Sequence, residues 1–268
     1  MRQTKSLTLF NGFSFIIQAG LFYTIHFQLI KHNVVREISD PYHSLLLPAN
    51  DISLMVWGVI YTALAIFCLY HIKMAFTHHE KYPANQDAKR VDMFFIINNL
   101  TAIGWIITTI NGQLIASLIL LAFQLVLLAT IHHQLNIYKR YRRIKSTICT
   151  QGPLSIYAAW LSLLFLSGIS EYFNLNSDSW QLILMGTLII VSLLIIFIRH
   201  NILFALMIIP GLYGIVSNVD VVGVEDPKRI ALAAWGGIWT LCLAAFIKMV
   251  IDFRLKEPPV VYHRTVHD

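Results

Sequence analysis

The sequence predicts an all-α membrane protein, a polytopic bundle of about eight transmembrane helices, and three observations carry that reading. Apolar residues make up 57% of the 268 residues and charged ones only 13%, against roughly one quarter charged in soluble domains. The apolar residues gather into eight runs of about 17 to 25 residues, each long enough to cross a hydrocarbon core. The basic residues between the runs fall mostly in alternate loops, and so on one side of the membrane, as the positive-inside rule requires. Helices satisfy their own backbone groups, which lipid cannot do, so each run is expected to be helical.

The first span is expected over Leu9 to Ile30. Arg2 and Lys5 precede it as in a secretory signal, but the run continues without a small-residue cleavage site and reads as a retained span. Asn11, Gln18, His26 and Gln28 interrupt it; were it to lie along the interface, seven spans would remain. The second, Ile52 to Ile72, carries Trp57 and Tyr61 four apart on one face. The third, Met93 to Ile110, holds Asn98, Asn99, Thr101, Thr108 and Thr109 around Trp105, and polar groups in lipid need partners on other helices or a ligand that shares them. The fourth, Leu114 to Ile131, follows a short turn at Asn111 to Gln113.

The fifth span, Pro153 to Phe173, is the stretch around which the others are expected to gather. Proline at a first helical turn loses no hydrogen bond, so Pro153 can open it. Ser155, Ala159 and Ser162 recur at helical spacing as a small stripe that lets a neighbour approach, with Tyr157 and Trp160 on the adjoining face. Trp180 to Ile198, Ile202 to Val219 and Ile230 to Ile251 complete the set, with a short turn at Arg199 to Asn201. Trp180 suits the interfacial aromatic belt. Pro210, with Gly211 and Gly214, is expected to loosen or kink the seventh span, and Trp235 and Trp239 share a face of the eighth.

Eight spans put 16 of the 20 Lys and Arg on one side, which predicts both termini in the cytoplasm of a cell bounded by this membrane. The run Lys139 to Lys145 is basic and aromatic like a nucleic-acid patch, but beside a span it reads as a contact for anionic lipid headgroups, and no nucleic-acid partner is expected. No Gly/Ser or Pro linker and no soluble domain divides the chain. Cys68 and Cys242 lie in spans and Cys149 beside the basic loop, which excludes a disulfide framework and a C-x-x-C metal pair. His78/His79 and His132/His133 lack acidic or cysteine ligands at metal spacing and read as interfacial, so no metal is expected. Glu171 falls about 27 Å along the fifth helix from Pro153, at the outer rim rather than mid-span.

Several of these stretches resemble the translocator protein and tryptophan-rich sensory protein family (TspO/MBR), in particular its longer bacterial members. The residues that carry the likeness are Pro48, then Val56-Trp57-Gly58-Val59-Ile60-Tyr61, which is similar to the family's I-W-G-x-x-Y, then Trp105, and Gly152-Pro153-Leu154-Ser155-Ile156-Tyr157-Ala158-Ala159-Trp160, which is similar to its P-x-S-I-Y-x-x-W element. The likeness covers Leu9 to Phe173. It implies a five-helix core over residues 1–173, with residues 174–268 as three further spans and a short tail. It also implies an aromatic pocket for tetrapyrroles, sterols or lipid-like aromatic ligands.

The candidate lining is Trp57, Tyr61, Trp105, Tyr157 and Trp160, joined by Asn99 from the polar group of the third span. No cofactor is required, and porphyrin or haem would be ligands. Where the family often has Asn, this chain has Ala102 and Gly168, and Leu46 to Ala49 replace the W-x-P-P loop; fewer polar groups to orient a tetrapyrrole favours an apolar or lipid-like ligand. The leading expectation is a non-enzymatic sensor or regulator that binds a hydrophobic small molecule, with membrane lipids and a second copy of the chain as partners. A transporter of a small amphipathic molecule and a membrane scaffold joined through Ala159 are the alternatives. No nucleophile and base can be assembled from mid-span residues, which leaves an enzyme least favoured.

Overall fold

The computed structural model describes residues 2–31, 50–135, 144–175, 177–218 and 226–254. Pro48, Leu46 to Ala49 and most of the basic run, Lys139 to Arg143, lie outside the described residues. Nine helices of nine residues or more follow one another among them: α1 Arg2–Lys31, α2 Asn50–Thr77, α3 Pro83–Val91, α4 Phe94–Ile110, α5 Leu114–Gln134, α6 Gly152–Tyr172, α7 Asp178–Arg199, α8 Ile202–Asn218 and α9 Pro227–Arg254. Six are long and apolar enough to cross a membrane, α3 and α4 qualify together as a pair bent by 48°, and Ile202–Ser217 is a shorter apolar helix. Each of the eight expected spans thus has its helix in an all-α polytopic bundle.

α6 is the axis of the bundle. Within its membrane window 72% of residues are buried, against 28–44% for the other long spans, as a helix apolar on every side must be when surrounded by others. It packs on α2 and α5 in one direction and on α7 and α8 in the other. α1, α2, α4 and α5 are linked by the α1–α2, α1–α4 and α4–α5 contacts, whereas α7, α8 and α9 pack mutually. Small residues allow this closeness: a Cβ placed on Gly211 of α8 would run into Leu163 and lie 3.8 Å from Trp160. Large apolar side chains such as Phe13, Leu69, Ile119 and Phe246 face outward, where lipid takes them without cost.

Polar groups close the helix ends. A wide π-turn, Thr147–Gln151, runs directly into α6, with Pro153 in its first turn. Gly112, at φ 67°, makes the tight turn between α4 and α5, a left-handed conformation that costs glycine nothing. Asp226 caps α9 by accepting the Arg229 N–H at 3.1 Å, and its own N–H donates to Asp178 Oδ2 at 2.8 Å, fastening the starts of α7 and α9 together.

One helix was not expected. α3 falls where the sequence reads as a basic loop, because it is short and too polar to stand out by hydropathy. Its pattern is nevertheless amphipathic: Ala84, Asp87, Ala88 and Val91 are buried while Lys89 and Arg90 end its last turn. Asn85 explains its position. Its amide Nδ2 donates to the carbonyls of Met74, His78 and His79 at 3.2, 3.3 and 2.9 Å, so α3 supplies the cap that the C-terminus of α2 lacks. Ser146 donates to buried Asp87 at 3.1 Å, which ties α3 to the lead-in of α6.

Candidate functional site

Trp57 of α2 stands at the centre of a ring cluster. Its indole meets Tyr61 at 5.7 Å and Trp105 of α4 at 5.9 Å, both stacked, and Trp160 of α6 edge-on at 6.4 Å. Phe22 of α1 fills the remaining side, 5.1 Å from Trp57 and 4.8 Å from Tyr61, with Tyr23 5.6 Å from Tyr61. These distances and tilts are those that aromatic quadrupoles favour. Trp57, Tyr61, Trp105, Tyr157 and Trp160 are each at most 3% exposed. Four of the six candidate residues therefore touch as one cluster drawn from three helices.

A polar layer accompanies the rings. The Tyr157 hydroxyl donates to Gln124 Oε1 of α5 at 2.9 Å, and Gln18 of α1 donates to the Tyr61 hydroxyl at 3.4 Å. Gln18 and Asn98 also flank the Tyr157 hydroxyl. Asn99 points elsewhere, donating to Ser14 of α1 at 2.9 Å. Several buried polar atoms among these residues make no well-formed hydrogen bond: Trp160 Nε1, both ends of the Asn98 amide, Gln18 Oε1, Asn99 Oδ1 and Gln124 Nε2. Native interiors rarely leave such atoms unpaired without a functional or solvent partner.

Three cavities lie away from the rings, and none of the six candidate residues lines any of them. One of about 350 Å³ sits between α5, α6, α7 and α8. A groove of about 950 Å³ runs between α1 and α4, lined by Phe10, Phe13 and Leu100. A shallow one of about 660 Å³ lies at the turn around Gly112. Within the ring cluster itself neighbouring ring centroids stand 4.8–6.4 Å apart. Phe22, on the helix that forms the edge of the cluster, is the ring that both Trp57 and Tyr61 lean on.

Other sequence candidates are placed apart. His78 meets the ring of Tyr82 at 4.1 Å, tilted by 33°, while His132 contacts the Leu128 carbonyl at 2.7 Å and Ser155 at 3.4 Å, so the two histidine pairs serve different helices. Among the described residues no group of three His, Cys, Asp or Glu could hold a metal ion. Ser155 and Ala159 of the small stripe are buried inside the chain, against α5 and α8 rather than at its surface. Pro210 lies inside α8, next to the Gly211 approach to α6.

The family model for TSPO-like protein matches residues 8–247. The chain belongs to the TSPO-like protein family. The match takes in every described helix from α1 to most of α9, so the TSPO-like pattern extends over the last three spans as well. No curated protein and no solved structure matches the chain. Sequence reasoning singled out the tryptophans of this TSPO-like chain but missed Phe22 and Gln124. Gln124 leaves a usable signal, a single amide in the middle of the fourth apolar run; Phe22 leaves none, being one of many apolar residues in the first.

Proposed function

We propose that this TSPO-like chain is a membrane ligand-binding protein, a sensor or regulator, whose site is the ring cluster of Trp57, Tyr61, Trp105 and Trp160 with Tyr157 beside it. The observation that supports this is a pair of buried, unpartnered polar atoms: the Trp160 N–H and the carbonyl oxygen of Asn98, which flanks Tyr157. A flat, mostly apolar molecule with one oxygen function would stack on the indoles and satisfy the Trp160 and Asn98 groups, while Phe22 swings out to admit it. Stacking and apolar burial would supply affinity, and the few polar groups would set orientation. Sterol-like or lipid-like aromatic ligands fit this better than porphyrin or haem, whose several charged groups would meet only amides and phenols. The distribution of basic residues supports a cytoplasmic membrane location with both termini on the cytoplasmic side.

The test is a titration of the purified protein with protoporphyrin, haem and a sterol, followed by tryptophan fluorescence, in wild type and in a Trp57→Leu plus Trp160→Leu double variant. Saturable quenching that the double variant loses supports the site; an unchanged signal in the variant removes it. Net flux of a bound ligand across protein-containing vesicles would instead favour transport.

A further inference from the structure

The cavity between α5, α6, α7 and α8 has a polarity that changes along its length. At one end stand Arg199, which closes α7, His132 and His133 at the end of α5, and Asn201, which opens α8. All four mark the same edge of the bundle. Farther in, the lining turns apolar with Val191 and Phe204. From Arg199 back to Val191 is eight residues, about 12 Å of helix. Val191 is 39% exposed on the outer face of α7, so the cavity opens sideways toward lipid rather than into the ring cluster.

The polar end is prearranged. Asn201 Nδ2 donates to Ser155 Oγ at 2.8 Å, and Ser155 in turn meets His132 Nε2 at 3.4 Å. His132 Nδ1 lies 2.7 Å from the Leu128 carbonyl, which can only accept, so this nitrogen carries the proton. No acid lines the cavity, whereas Arg199 is a permanent cation. Its 350 Å³ falls at the lower end of small-molecule pockets, which span roughly 300–1,000 Å³. That is room for part of one chain, with the rest of the molecule left in the bilayer. Tails gain little by leaving other tails, so any preference among lipids must come from the charged end.

We propose that this cavity is a site for an anionic phospholipid, one acyl chain lying along Val191 and Phe204 and the phosphate held by Arg199 and His133, with His132 kept by its own hydrogen bonds as part of the wall. The site is independent of the ring cluster. Full-length protein in neutral detergent is titrated with phosphatidylglycerol and phosphatidylcholine of matched chains while its melting temperature is followed. Wild type should show a saturable rise with phosphatidylglycerol at concentrations about fivefold below those needed for phosphatidylcholine. Arg199→Gln, a change at an exposed side chain, should remove that preference. Val191→Trp, which fills the mouth from the lipid side, should abolish saturation, and Arg254→Gln, which removes a charge elsewhere, should leave the response intact. Equal responses to the two lipids, a preference retained in Arg199→Gln, or the same loss in Arg254→Gln would overturn the proposal, as would a response to oleate without one to phosphatidylglycerol.

Discussion

The indole of Trp57 stacks on that of Trp105 with 5.9 Å between ring centroids and 29° between planes, joining α2 to α4 at the middle of the bundle. Trp57 also touches Tyr61, Trp160 and Phe22, so its indole meets rings of α1, α4 and α6 as well as one of its own helix. Trp57→Ala is expected to cost about 3–5 kcal/mol, since neighbouring helices cannot collapse into the space of an indole. Trp239→Ala, at a residue 70% exposed on α9, should cost no more than about 0.5 kcal/mol. Reversible unfolding of both variants in the same detergent checks the contrast, and similar losses would mean that the cluster is not a packing centre.

Trp160 offers a way to separate packing from recognition. Its ring is fully buried while its Nε1–H has no partner, and an unpaired buried donor costs about 1–3 kcal/mol. Trp160→Phe removes that donor and keeps an aromatic ring, so the lost volume and the relieved donor should offset each other to within about 1 kcal/mol. Ligand affinity should nonetheless fall, because the group that would bind the ligand's oxygen is gone. A variant as stable as wild type that binds a sterol equally well would show that the indole N–H takes no part.

How much of this was legible in the sequence depends on the level considered. The helices were, because in lipid the length of an apolar run is itself the signal, and the eight runs became helices at their expected places. α3 was hidden by its polarity: a nine-residue segment with Lys89 and Arg90 looks like a loop until Asn85 is seen capping α2. Trp57 and Tyr61 were readable as partners because four residues fix their spacing on one helix. Whether the rings enclose a space was not, since that depends on how closely helices approach. Phe22 and Gly211 set that distance, and neither stands out from its surroundings in the chain.

Gly211 and Gly58 should respond in opposite directions to the same change. The Cβ of Gly211→Ala would collide with Leu163 of α6, whereas nothing lies within 4 Å of a Cβ at Gly58. Overpacking at Gly211 should destabilise by about 1–3 kcal/mol. At Gly58, in the interior of α2, the alanine should stabilise by about 0.5–1 kcal/mol by reducing the freedom of the unfolded backbone. Melting temperatures that move the same way for both variants would contradict the close approach of α8 to α6.

Asn201 joins two helices through two ends of one amide. Its Oδ1 accepts the Phe204 N–H at 3.3 Å, capping α8, and its Nδ2 donates to Ser155 of α6 at 2.8 Å. Asn201→Ala should lose the cap, worth about 0.5–2 kcal/mol, and also leave Ser155 with His132 alone. Asn201→Asp keeps an acceptor for the cap but brings no donor to Ser155, and it places a negative charge beside the cavity that Arg199 lines. Since the two ends serve different helices, a double-mutant cycle of Asn201→Ala with Ser155→Ala should show a coupling of about 0.5–3 kcal/mol, and Asn201→Ala alone should lose more stability than Ser155→Ala alone. Additive losses would mean that the α6–α8 hydrogen bond contributes nothing, and that the turn at His200 is held by the cap and by the Asn201 N–H bond to the Ile195 carbonyl.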